Sequence, residues 1–338
     1  MRTIRSSWPL LALWGMLFSA GSAWPQVTTL PPPTPIQPAA YILPPAYQLP
    51  EVPPIVDPIL DDSPVAAPGC FTNVELFFLR PHLNSHLMNQ VPVSPTQVDT
   101  VDLQISGSMG TTVSPRFEVG YRLPQQLGEF LLAYRFETVE RTIVPADALS
   151  QKNRLNMNLI DLDWGNHHPF GLQLPGWDIR PNIGVRLATI YFDTRQEFGG
   201  PALNPAGLIE QRATSNFVGF GPEMGIEVSR EFVIPGLALY GRVSGAFLFG
   251  QMHQTFSETT TGPGGVLSGS SGLSNQVDVS NLMVQAGMSY TLPNWNYCRF
   301  LFGYVWEEFW QIGRVNGFLN NNGDLLNRGL FLRAEINF

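Results

Sequence analysis

One lysine, Lys152, and two cysteines, Cys70 and Cys298, occur in 338 residues. Charged residues of both signs make up only 14% of the chain, against about 25% in an ordinary soluble domain. Removing Arg2 and Arg5 with an export leader turns 19 basic residues into 17, against 27 acidic, a net charge of −10. Such a balance excludes nucleic acid as a partner, because phosphate contacts need basic stripes. Long apolar runs are also missing: beyond the N-terminus none approaches the roughly 20 residues of a membrane-spanning helix, which excludes a helical bundle.

Catalytic groupings are scarce too. The histidines are His82, His86, His167, His168 and His253. Neighbours such as His167 and His168 diverge on a strand and make a poor metal pair. No serine elbow and no paired acid motif stands out, and the Gly/Ser/Thr stretch Thr259–Gly272 reads as a flexible external loop. No enzyme activity, cofactor or metal is expected. The two distant cysteines allow either one disulfide in an oxidising compartment or two inert thiols.

Residues 1–23 combine Arg2 and Arg5, the apolar stretch Trp8–Phe18 and small residues up to Ala23, the pattern of a cleaved signal peptide. Residues 24–69 follow, and 24–68 hold 14 of the 30 prolines. Proline removes a donor and fixes φ, so this stretch is expected to be an extended periplasmic linker. It is either a plain tether or a segment docking on the cell wall.

From 70 to 338 apolar and polar residues alternate with period two. Phe117, Val119 and Tyr121 alternate with Arg116, Glu118 and Arg122; Phe300, Phe302 and Tyr304 alternate with Arg299 and Gly303. The chain closes on Leu332, Ala334, Ile336 and Phe338 against Arg333, Glu335 and Asn337. Aromatics on one face with Arg, Glu and Gly on the other suit a β-barrel with lipid outside and a polar lumen inside. Short proline turns (Leu123-Pro124-Gln125, Leu174-Pro175-Gly176-Trp177, Ile234-Pro235-Gly236, Leu292-Pro293-Asn294-Trp295) alternate with long polar connections, the asymmetry of short periplasmic turns and longer outer loops. The expected fold is all-β: an antiparallel up-and-down transmembrane barrel. Eleven strands are legible, and parity demands a twelfth, placed at 86–93.

One strand breaks the pattern. With Leu155, Met157 and Leu159 toward lipid, Asp161 and Asp163 face outward as well, unless a bulge near Ile160 shifts the phase or this end already lies outside the hydrocarbon. Lumen-facing positions are expected at Arg116, Glu118, Arg122, Arg135, Glu137, Arg154, Arg180, Arg186, Glu223, Glu227, Arg242, Arg299, Glu307, Arg333 and Glu335. These charges either pair and narrow the lumen or stay unpaired and set ion preference. The arginine excess points to weak anion preference if the pore is open.

Several segments resemble the Legionella-type major outer-membrane-protein family. They include Ser114-Pro115-Arg116-Phe117-Glu118-Val119-Gly120-Tyr121-Arg122-Leu123-Pro124, Leu159–Gly165, Arg180–Ala188, Phe220–Gly225 and Gly303–Trp306. The resemblance covers most of 71–338 and none of the proline-rich leader. It implies an outer-membrane channel for small solutes or ions. The competing reading is a plugged structural barrel that anchors the leader or displays its outer loops. Lipid and the barrel-insertion machinery are the expected partners, the latter through the terminal strand and Phe338.

Overall fold

The computed structural model describes residues 68–338 apart from 125–126, 146–147, 167–175, 200–206, 233, 263–264, 293–294 and 313–322. The signal segment, nearly all of the proline-rich linker and His167-His168 lie outside the described residues. Twelve strands form: β1 (Gly69–Leu79), β2 (His82–Ser94), β3 (Gln97–Ser108), β4 (Thr112–Arg122), β5 (Glu129–Ile143), β6 (Ser150–Gly165), β7 (Trp177–Gly199), β8 (Leu208–Glu231), β9 (Leu237–Gly262), β10 (Gly265–Leu292), β11 (Trp295–Trp310) and β12 (Asp324–Asn337).

Ten of the twelve close into an antiparallel barrel in the order β1-β4-β5-β6-β7-β8-β9-β10-β11-β12, sealed by β12 against β1. The seal runs from Phe71 opposite Asn337 to Leu79 opposite Gly329. The Phe338 N–H donates to the Cys70 carbonyl at 3.0 Å, one residue beyond. The strand missing from the sequence pattern is β2, at the expected place. It pairs with β3 as a hairpin inserted between β1 and β4, outside the closed ring, and touches the ring ladder only through Asp324–Leu326 of β12.

Glycines mark the tight ends. Gly128, Gly176 and Gly236 have positive φ in the turns at the end of the barrel that carries Trp177, a backbone state that costs side-chain-bearing residues energy.

Alternation places the lipid face where the pattern puts it. Phe117, Val119 and Tyr121 of β4, Phe130 to Phe136 of β5, Ile183 to Leu187 of β7 and Leu330 and Leu332 of β12 are all outward and exposed. Above this belt the polarity inverts. On β6 the outward row changes from Trp164, Leu162 and Ile160 to Asn158, Asn156 and Arg154. The inward row changes from Asp163 and Asp161 to Leu159, Met157 and Leu155. Register is unbroken on both flanks of β6, so no bulge exists near Ile160. Leu155, Met157 and Leu159 therefore point into the barrel, contrary to the sequence expectation, and Asp161 and Asp163 are inward without a shift.

The same inversion recurs on β7 (Arg186 inward below, Ile190 and Phe192 above) and on β9 (Arg242 below, Leu248 and Phe256 above). A strand leaving lipid for water exchanges one burial rule for the other: lipid accepts apolar side chains outside, water drives them inside.

The apolar upper interior is filled by the β2–β3 hairpin. Leu83, Leu87, Val91, Val101 and Leu103 are buried against Val139, Leu155, Phe192, Phe217, Phe256 and Phe309 of the wall. The hairpin begins beside β12 and reaches across the mouth, where the Thr100 carbonyl accepts a bond from Gln211 of β8 at 3.3 Å.

One further expectation is corrected, and the cysteines take one of their two readings. Thr259–Gly272 is a paired ribbon, not a loop: β9 and β10 stay in register up to Gly262 opposite Gly265, as threonine-rich sequence favours. Cys70 and Cys298 are both free. They lie on β1 and β11, which flank β12, so two strand spacings of about 4.8 Å separate them, beyond disulfide reach.

Candidate functional site: the charged lumen

Below the apolar layer the barrel interior is a filled, charged layer. In this layer, among the described residues, ten carboxylates project inward: Glu75, Glu118, Glu129, Glu137, Asp161, Asp163, Glu223, Glu227, Glu307 and Glu335. Eight arginines meet them: Arg116, Arg122, Arg135, Arg180, Arg186, Arg242, Arg299 and Arg333. All lie in phase with the burial alternation of their strands. The arginine excess inferred from sequence does not hold. Arg154 is outward on the exposed upper face of β6, because it stands above the polarity inversion. The sequence pattern alone does not single out Glu75, Glu129, Asp161 and Asp163 as lumen groups.

Three groups of contacts bridge the lumen. Arg135 of β5 donates from Nη1 to both oxygens of Glu307 on β11 at 3.0 and 2.8 Å, and from Nη2 to Glu137 at 3.1 Å. Its Nε bonds Ser114 at 3.0 Å, and the guanidinium stacks over Phe77 at 4.6 Å. Asn327 of β12 donates to Glu137 and Glu307 and completes this group.

Arg186 of β7 grips Asp161 of β6 with two bonds, Nε to Oδ1 at 2.6 Å and Nη2 to Oδ2 at 3.0 Å. The same Nη2 reaches Glu223 of β8 at 2.7 Å, and Nη1 bonds Asn281 of β10. Arginine's planar fork is what allows one side chain to hold two carboxylates and an amide at once.

The third group centres on Glu118 of β4. It pairs with Arg116 at 2.8 Å, Arg333 at 3.4 Å and Arg242 at 3.6 Å, and accepts a bond from Asn73 at 2.8 Å. The Arg116 contact is an ion pair without hydrogen-bond alignment. Arg333 continues to Glu335 at 2.8 Å and Glu227 at 3.4 Å, and Glu227 also takes Arg180. Tyr240 and Gln285 extend the chain to Glu75.

At the lower rim, Arg122 pairs with Glu129 at 3.3 Å and bonds Asn337 at 2.8 Å, while Arg299 approaches Glu335 at 3.6 Å. Every sequence-predicted lumen residue except Arg154 therefore meets the network.

Arg116 and Arg186 are 1% exposed and Arg333 2%, which decides that water has no continuous path at their level. A cavity of about 30 Å³ remains at the lower end, lined by Asn73, Glu129, Asp163, Arg180, Glu227, Arg242 and Arg333. That is room for two or three waters, at ~10–15 Å³ of such volume each. Neither oxygen of Asp163 has a hydrogen-bond partner there.

No cluster of three or more metal-ligating side chains exists among the described residues. The residues missed from sequence had weak signals. Glu75 stands two places from Asn73 on the inward face of β1, between Val74 and Leu76, and Tyr240 stands two places from Arg242 on the same face.

A closed antiparallel barrel with an apolar belt and a charged interior defines an outer-membrane β-barrel protein. The chain belongs to the family described as Legionella pneumophila major outer membrane protein precursor, whose model matches residues 82–338. No curated protein matches it in sequence.

Solved structures similar to it include a major outer membrane protein from Thermus thermophilus, at 12% identity over 80% of this chain and 99% of that one, TM-score 0.32. Another is the Pseudomonas putida toluene transporter TodX, at 6% identity over 81% and 90%, TM-score 0.27. A third is the attachment invasion locus protein Ail of Yersinia pestis, at 10% identity over 80% and 99%, TM-score 0.23.

Proposed function

We propose that the chain is an outer-membrane channel for small solutes or ions, shut in the form described and opened by displacement of the β2–β3 hairpin. The observation that carries this is the unequal attachment of the two closures. The ten barrel strands are laddered on both sides, whereas the hairpin that fills the mouth joins the ring ladder by three residue pairs. The seal beneath it consists of side chains alone, which can re-pair without moving backbone.

Ten carboxylates against eight arginines give the conducting form a preference for cations, by rings of fixed charge. Export through a leader cut after Ala23 belongs to the same reading, as does the absence of a catalytic role.

A second reading is favoured by the ion pairs that cross the lumen between β5 and β11: a permanently plugged barrel, anchoring the leader or displaying the β9–β10 ribbon. Planar-bilayer recording on the full chain separates the two. Discrete current steps with a cation-selective reversal potential are expected. Silence in every salt and at every voltage establishes the plugged barrel and removes the channel.

A further inference from the structure

The ion pairs of the charged layer do not reach every carboxylate in it. Among the described residues, Glu75 and Asp163 alone of the ten have no arginine at ion-pair distance. Their surroundings differ. Glu75 faces Arg333 across one ladder and Arg116 across the other, and Gln285 donates to it at 2.8 Å. Asp163 faces Leu131 of β5 and Gly184 of β7, neither of which carries charge. It is 2% exposed, and neither of its oxygens accepts a hydrogen bond. A buried charge is ordinarily paired or bound to a cation, because a dry interior does not solvate it.

Asp163 lines the cavity of about 30 Å³ at the lower end of the layer. Glycine makes the room: Gly165 lines the cavity, and a Cβ on Gly184 would lie 2.1 Å from Asp163 Oδ1. The other charged side chains around it are already committed. Arg180 bridges Glu129 and Glu227, and Arg333 spans Glu118, Glu227 and Glu335. Arg242 has Glu118 at 3.6 Å. Asn73, also in the lining, gives its amide nitrogen to Glu118, which leaves its oxygen to offer.

We propose that this cavity binds one small monovalent cation, an alkali ion, held by the Asp163 carboxylate and completed by the Asn73 oxygen and water. The volume suits an ion with a partial water shell. The charge suits it too, since one carboxylate is uncompensated at the site. A divalent ion would bring an excess of charge beside three arginines, and among the described residues no third acidic, histidine or cysteine ligand gathers to hold it. A proton alone would remove the charge but leave the carboxyl group without a partner for its hydroxyl or its carbonyl. Asp163 lies two residues from the lower end of β6, so the ion enters from that rim without passing the level of Arg116 and Arg186.

A part for this ion in cation preference rests on the channel reading; its occupancy does not, and is measured without current. Equilibrium dialysis of radioactive sodium against the full chain in a neutral detergent counts the bound ions, with choline chloride holding the ionic strength constant. A single saturable sodium site per chain is expected. Asp163→Asn is expected to abolish it. Glu75→Gln removes the same charge from the layer and is expected to keep it. Gly165→Val fills the cavity without touching a charge; a Cβ there meets nothing closer than 3.5 Å. It is expected to abolish binding as well, and it decides the matter if Asp163→Asn does not fold. Wild-type protein that binds no sodium overturns the site and leaves a cavity holding water. Sodium retained in Asp163→Asn or in Gly165→Val, or lost equally in Glu75→Gln, overturns it too. Bilayer current on the same preparation keeps the two ideas apart. Bound sodium with no current leaves the site and removes the channel; current with no bound sodium does the reverse.

Discussion

Arg186 shows what a single side chain does in this lumen. It holds Asp161, Glu223 and Asn281 from three other strands, and it is buried. Truncation to alanine leaves Glu223 without a cation and Asp161 with Arg116 alone, at 3.3 Å, in a dry interior, which costs about 3–5 kcal/mol. Urea unfolding of the refolded Arg186→Ala barrel is expected to show a loss of that size. The triple change Arg186→Met, Asp161→Asn, Glu223→Gln is expected to recover most of it, because removing all the charges together leaves none stranded. Arg116, Arg135 and Arg333 were legible as lumen groups because their strands obey one alternation in the stretch they occupy. Arg154 was not, because phase alone does not reveal the height at which its strand leaves the bilayer.

That height is a property of the element. β6 carries two opposite patterns end to end, and either half read alone gives the wrong face for the other. The local signal was in the residues, in the step from Ile160 to Asn158 outside and from Asp161 to Leu159 inside, but it resembles a bulge unless the neighbouring strands are aligned with it. β2 and β3 were harder still, since a hairpin packed on one face and sited at a barrel mouth looks like another wall strand. Its contact with β10 is close: a Cβ on Gly269 would lie 2.3 Å from the Pro92 carbonyl oxygen. Gly269→Val is expected to push the hairpin off the wall at a cost of about 1–3 kcal/mol, read as faster hydrogen exchange in β2 with the barrel strands unchanged. Gly272→Val on the same strand, where the nearest atom would be 3.7 Å away, is expected to leave exchange unaltered.

For the whole molecule, the fold class, the closing strand and the lipid belt were all legible, because period-two alternation and turn chemistry are local. The ring of ten and the filled lumen were not, since both depend on which strands pair across large separations in sequence. The belt has a testable edge. Ile183→Arg, near the middle of the outward row of β7, is expected to lower stability in lipid by about 2–4 kcal/mol. Tyr191→Arg, higher on the strand and past the inversion, is expected to cost less than about 1 kcal/mol. Comparison of the two by denaturation in liposomes checks where the bilayer ends.

The inversion also divides the molecule by temperature. Its upper interior is a water-driven apolar core, whose cohesion weakens on cooling and carries a large heat capacity of unfolding. Its lower half meets lipid and is held by ion pairs, to which that dependence does not apply. In the cold, the mouth of this barrel is therefore the part that loosens first, while the belt beneath it holds.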